Sequence, residues 1–186
     1  MAHNQYQLLK QRRFLPFFLT QSLGAFNDNV FRNAMLALMV YQMGLSTEQS
    51  TLYANLAPAL FILPYFLFSA TAGQIAEKYE KAKLIRVTTA MEIAIMSLAA
   101  FGFIYGLPWL LLFCLFLTGV QSTLFGPVKY AILPQVLAPE ELTGGNGLVE
   151  MGTSISILIG MIAGMSLLMI PDYGPQAAAF AMIALA

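Results

Sequence analysis

Long apolar runs, separated by short polar connections, divide this chain into five stretches able to cross a bilayer and part of a sixth. A helix needs about 17–25 mostly apolar residues to span a hydrocarbon core. Residues 14–43, 52–75, 84–105, 109–125 and 146–170 meet that requirement. The runs are punctuated by Gly44-Leu45-Ser46, Gly106-Leu107-Pro108, Gly126-Pro127 and the turn from Pro171 to Pro175. Pro58 and Pro64 fall inside the second run, where neighbouring helices can satisfy the carbonyls they free. Ala138 followed by Pro139-Glu140-Glu141 reads as a helix start, with proline in the first turn and acids at the positive end of the dipole. Residues 176–186 are helical in character but would rise only about 16 Å, so the sixth span is expected to be incomplete and the chain a fragment. Residues 1–13 form a polar tail ahead of the bundle.

One apolar run breaks its own pattern. In the middle of residues 14–43 the sequence reads Asn27-Asp28-Asn29-Val30-Phe31-Arg32-Asn33. A carboxylate or guanidinium at the bilayer centre costs about 2.5–3.5 kcal/mol each on insertion scales. Such groups persist where they face protein or water and find partners. Asp28 and Arg32 are four apart, on one helix face and within reach of each other. Gln21, Gly24 and Ala25 share that face. The stripe has two readings, the lining of a transport path or an ion pair that locks helix packing, and the rule for intramembrane charge favours the first.

Composition agrees with the membrane assignment: 59% of residues are hydrophobic and 10% charged, and the mean hydropathy is +0.72. Net charge is zero, which gives no reason to expect a nucleic-acid partner. The basic residues fix orientation. Lys10, Arg12 and Arg13 precede the first span, Lys78, Lys81, Lys83 and Arg86 surround the second connection, and Lys129 ends the fourth span. The first, third and fifth connections have no Lys or Arg. The positive-inside rule therefore predicts a cytoplasmic N-terminus, with eight of nine basic residues on that side and Arg32 in the membrane. The N-terminal stretch does not read as a cleaved signal peptide.

Enzyme readings find little support. The sole histidine is His3 in the tail, so triads and His-Glu-x-x-His metal sites are absent, as is a G-x-x-x-x-G-K-[ST] phosphate loop. No cofactor or metal is expected. Lone Cys114 cannot form an internal disulfide. Gly152, Gly160 and Gly164 on the fifth span permit close helix packing. Glu150 invites structural pairing with Lys129 or with the basic second connection, whereas Glu92, about a third of the way into its span, has no partner that can be named from sequence.

The second connection reads Gly73-Gln74-Ile75-Ala76-Glu77-Lys78-Tyr79-Glu80-Lys81. It resembles the signature G-x-L-A-D-R-x-G-R/K between helices two and three of the major facilitator superfamily. Glu77 stands for the usual Asp, Lys78 for Arg and Lys81 for the later basic residue, while Glu80 departs from the usual Gly. Gly24 to Asn29, Phe125-Gly126-Pro127-Val128-Lys129-Tyr130-Ala131-Ile132-Leu133-Pro134 and the string from Glu141 to Glu150 are similar to the lysophospholipid transporter branch of that superfamily. The closest likeness is to the form fused ahead of a phospholipid acyltransferase and an acyl-activating domain.

The resemblance implies an all-α membrane protein: the N-terminal six-helix half of a major facilitator fold, built as two inverted three-helix repeats, with a C-terminal half outside this chain. It implies a multi-pass protein of the bacterial inner membrane that moves lysophospholipid, chiefly lysophosphatidylethanolamine, by alternating access and feeds its re-acylation. Gln21, Asp28, Asn29, Arg32 and Gln121 are then the expected substrate-binding residues, joined by Ser122 and Thr123 opposite Asp28 and Arg32. Arg32 would attract the phosphate, and Asp28 would attract the ammonium or hold Arg32. Gly73, Glu77, Lys78 and Lys81 are the expected gating loop, with the glycine allowing close helix approach. A transporter of another small amphipathic solute and a membrane anchor for a fused acyltransferase are the rival readings. An anchor has no need of charge at mid-bilayer.

Overall fold

The computed structural model describes residues 5–186; His3 and the other three N-terminal residues lie outside it. Six helices follow a short 3-10 turn at Gln5–Lys10. They are α1 (Leu15–Ala37), α2 (Thr47–Lys78), α3 (Lys81–Tyr105), α4 (Pro108–Val136), α5 (Leu142–Leu168) and α6 (Gly174–Leu185). No strand occurs among the described residues.

Local chemistry sets the ends. A π-helical turn, Leu38–Gln42, extends α1, and Gly44 then turns the chain at φ +62°. Ser46 caps α2: its hydroxyl accepts from the Gln49 backbone at 3.2 Å, and the Gln49 side chain accepts from the Ser46 backbone at 3.3 Å. Gly106, left-handed at φ +61°, closes α3. Pro108 then opens α4. Helix α4 runs through Gly126-Pro127 and Pro134 to Val136, where the sequence suggests a break. Proline frees one backbone carbonyl, but ending a helix inside hydrocarbon would free several, so continuation is the less costly course.

Four helical segments combine length with an apolar composition sufficient to cross a membrane: α2, α3, α4, and α5 with its preceding turn. Helix α1 has the length, 23 residues and about 35 Å. Its polar cluster lowers its hydropathy. The outer faces of α2 and α5 are strongly apolar, with Phe66 81% exposed and Ile162 68% exposed.

The most extensive packing joins α1 to α5 and α2 to α4, followed by α3 with α4, α3 with α6, and α1 with α6. Exchanging helices one to three for four to six maps this set onto itself. Successive helices alternate in direction, so the two repeats are inverted relative to each other. Glycines make the closest approaches. A Cβ at Gly160 would stand 2.6 Å from the Phe26 carbonyl oxygen, and one at Gly164 2.5 Å from that of Val30. On the equivalent interface, a Cβ at Gly119 of α4 would stand 2.5 Å from the Phe61 carbonyl oxygen of α2.

Two apolar clusters frame the interior. The larger gathers Val30, Phe31, Met35, Met96, Phe103 and Leu115 with residues of α2 and α6. The smaller joins Leu8, Phe14, Phe17, Leu133, Leu148 and Val149 at the other end. Arg13 there holds the Glu141 carboxylate through both oxygens, at 2.7 and 2.8 Å.

Candidate functional site

Polar residues collect at the level between the two clusters. Gln21, Gly24, Ala25 and Asp28 line a cavity of about 230 Å³, facing Gln121, Ser122 and Lys129 of α4. Tyr65 of α2, Glu92 of α3 and Thr153 of α5 complete the wall. Asp28 lies about 20 Å along α1 from its start, and Lys129 about 10 Å from the end of α4. Carboxylates therefore occupy the deep part, against the larger apolar cluster, and the amine lies nearer the helix ends.

Asp28 Oδ2 accepts a hydrogen bond from the Ser122 hydroxyl at 3.1 Å, while Oδ1 is buried without a hydrogen-bond partner among the described residues. The expected contact between Asp28 and Arg32 is not made: neither residue takes part in an ion pair among the described residues. Arg32 donates to Asn29 Oδ1 and lies over the Phe61 ring, 5.4 Å from its centroid. Two local acceptors thus hold the guanidinium, the side-chain carbonyl one turn earlier and an aromatic face. Asn29 is buried and also donates to the Ala25 carbonyl at 2.8 Å. Neither Asn29 nor Arg32 lines the cavity.

Glu92 has a partner that the sequence does not name. Asn27, fully buried, donates from Nδ2 to Glu92 Oε1 at 3.1 Å and to the Met182 carbonyl at 3.2 Å. One amide therefore ties α1 to α3 and α6. An acid a third of the way into an apolar span was the available signal; the amide that meets it comes from another helix.

A second network sits toward the helix ends. Lys129 Nζ donates to Thr153 Oγ1 at 3.0 Å and lies 3.2 Å from Glu150 Oε1, which also accepts from the Tyr130 hydroxyl at 2.8 Å. Of the two pairings open to Glu150, Lys129 is the one formed. Thr153 and Gln21 Oε1 are 2.8 Å apart, connecting α5 to α1. Gln121 donates to the Thr88 carbonyl at 3.3 Å and accepts from Ser122 at 3.3 Å. Thr123 is buried and bonds to the Gly119 carbonyl within its own helix, away from the cavity lining.

The α2–α3 connection is exposed at Glu77 and Lys78. Nothing lies within 4 Å of a Cβ placed at Gly73, so the close helix approach expected there is not made among the described residues. Lys78 lies over the Tyr79 ring at 5.7 Å. Glu77, Lys78 and Lys81 take part in no ion pair among those residues.

A family profile described as Major Facilitator Superfamily matches residues 17–186. The chain is 31% identical over 156 residues to the lysophospholipid transporter LplT of Serratia proteamaculans, covering 84% of this chain and 36% of that protein. Identity to the LplT of Cronobacter sakazakii is 30% over the same shares of each chain. With the LplT of Salmonella typhimurium it is 31% over 150 residues, 81% of this chain and 35% of the relative. The chain thus spans 35–36% of the length of these curated relatives. No solved structure matches it.

Proposed function

The chain belongs to the major facilitator superfamily, and from that premise we propose that it forms the head-group-binding half of a lysophospholipid transporter of the bacterial inner membrane. The observation that carries this reading is the pairing of acids and a base in one intramembrane cavity. Asp28 and Glu92 lie deep in it and Lys129 nearer the helix ends, with Tyr65 and Phe125 as apolar walls. A zwitterionic head group presents both signs of charge, and this lining offers a counterpart to each. About 230 Å³ suits a head group rather than a whole lipid, which leaves the acyl chain to lie along apolar helix faces.

Orientation by the basic residues puts the N-terminus in the cytoplasm and the larger apolar cluster on the periplasmic side. The arrangement is then a cytoplasm-open state of an alternating-access cycle, completed by a second six-helix half. Gln21 and Gln121 supply uncharged polar contacts. Asn29 and Arg32 act from the turn beyond the cavity, on substrate or on the second half as the cycle proceeds. Gly73, Glu77, Lys78 and Lys81 bias the equilibrium between states. Inward delivery supplies an acyltransferase, fused or associated, that restores the second chain. An anchor reading leaves the buried, unpartnered oxygen of Asp28 without a purpose.

The test is uptake of labelled lysophosphatidylethanolamine into spheroplasts carrying the full-length protein, normalised to protein in the membrane. Uptake above that of spheroplasts lacking the protein is expected. Background uptake with the protein present in the membrane would overturn the reading.

A further inference from the structure

Two carboxylates, Asp28 and Glu92, line the same cavity. Glu92 is 8% exposed, and Asn27 engages only its Oε1. Its Oε2 lies beside Gly24, where an added Cβ would stand in ordinary contact at 3.5 Å. Asp28 Oδ2 is held by Ser122, and its Oδ1 is buried with no hydrogen-bond partner among the described residues. Neither acid forms an ion pair with a basic side chain among the described residues.

Arg32 acts on Asp28 through space, but no charged group around the cavity forms an ion pair with either acid among the described residues. Lys129 of α4 is already bridged to Glu150 of α5. Arg32, one turn along α1, is engaged by Asn29 and Phe61. Tyr65 of α2 and Tyr130 of α4 contribute hydroxyls rather than cations. Two acids therefore share a region of low dielectric with no ion-paired cation among the described residues, where holding both ionised is costly and a bound cation relieves that cost.

We propose that Glu92 is a specificity residue, forming with Asp28 a two-carboxylate cradle that favours lysolipids whose head group carries a primary ammonium over those whose head group is anionic and lacks one. The inference rests on the lysophospholipid reading above. A primary ammonium has three N–H donors, enough to serve an oxygen of each carboxylate. The phosphate of the same head group is then directed toward Lys129, where it competes with Glu150, on the side of the cavity nearer the helix ends. Asn27 acts as a positioning residue that orients Glu92.

Glu92→Gln removes the charge but keeps an oxygen that accepts from Asn27, so the helix contact is preserved. Glu92→Asp keeps the charge on a shorter stem. Uptake of lysophosphatidylethanolamine and lysophosphatidylglycerol is measured in parallel for the full-length wild type and both variants, normalised to membrane abundance. Glu92→Gln is expected to lower the ethanolamine-to-glycerol uptake ratio about tenfold, the scale of one lost charge-assisted hydrogen bond. Glu92→Asp is expected to restore part of it. An unchanged ratio, or an equal loss on both substrates, overturns the specificity role and leaves Glu92 as a helix contact. A wild type that moves neither lipid defeats the underlying reading instead, and the two failures are told apart by that control.

Discussion

Asp28 and Arg32, one turn apart on α1, take different partners: Asp28 accepts from Ser122 across the cavity, whereas Arg32 donates to Asn29 and covers the Phe61 ring. They form no ion pair with each other among the described residues. Asp28→Asn in the full-length protein should abolish or strongly reduce lysophospholipid uptake, and Arg32→Gln should reduce it too. The double variant should insert normally and remain inactive, because no ion pair exists for it to relieve. Near-normal uptake by the double variant, measured in spheroplasts, would return the two residues to a packing role. Ser122→Ala should be milder, about two- to tenfold in uptake, in keeping with one neutral donor lost from a carboxylate that stays in place.

The α5 glycines give a stability prediction. Gly164→Val places atoms against the Val30 carbonyl of α1, a backbone group that cannot swing aside. A loss of about 1–3 kcal/mol follows from such overpacking, read as a lower midpoint in thermal unfolding of the detergent-solubilised protein. Gly147→Ala meets nothing within 4 Å. It should be neutral or stabilising by up to about 1 kcal/mol through helix propensity. Equal behaviour of the two variants would remove the close α1–α5 approach from the account.

Topology can be checked by single-cysteine labelling from outside intact cells, in a background lacking the buried Cys114. Positions 48 and 172 should label, and positions 5 and 81 should not. Labelling at 81 together with protection at 48 would invert the orientation and with it the assignment of a cytoplasm-open cavity.

In the α2–α3 connection, Glu77→Gln or Lys78→Ala should change transport rate more than protein abundance. Both side chains are exposed and neither is held in an ion pair among the described residues, so little of the fold depends on them. An unchanged rate at normal abundance would leave their charge serving orientation alone.

Helix number and the polar face of α1 were legible in the sequence because a charge inside an apolar run is conspicuous and helical spacing says which residues share its face. Gln21 and Asp28 could be grouped that way, and both line the cavity. Periodicity within α1 could not reveal that Asn29 would draw Arg32 away, since three- and four-residue spacings are equally near neighbours. Glu92 and Asn27 meet only because the fold brings α1 and α3 together at this one level, which no local pattern encodes. The run of α4 through Pro127 was hidden for a different reason. Turn chemistry learned in water marks Gly-Pro as a stop, while hydrocarbon penalises every backbone group left open.

The glycine contacts bear on how force would pass through this assembly. Gly160 and Gly164 seat α5 on α1, and Gly119 seats α4 on α2, so each seam joins a helix of one repeat to a helix of the other. Backbone pressed against backbone leaves little compliance, and the two repeats are riveted into one stiff lever rather than hinged at their junction. A displacement of one repeat is then expected to carry the other with it. The slack that any cycle needs must lie on the apolar outer faces of α2 and α5, where no glycine seam ties the helices down.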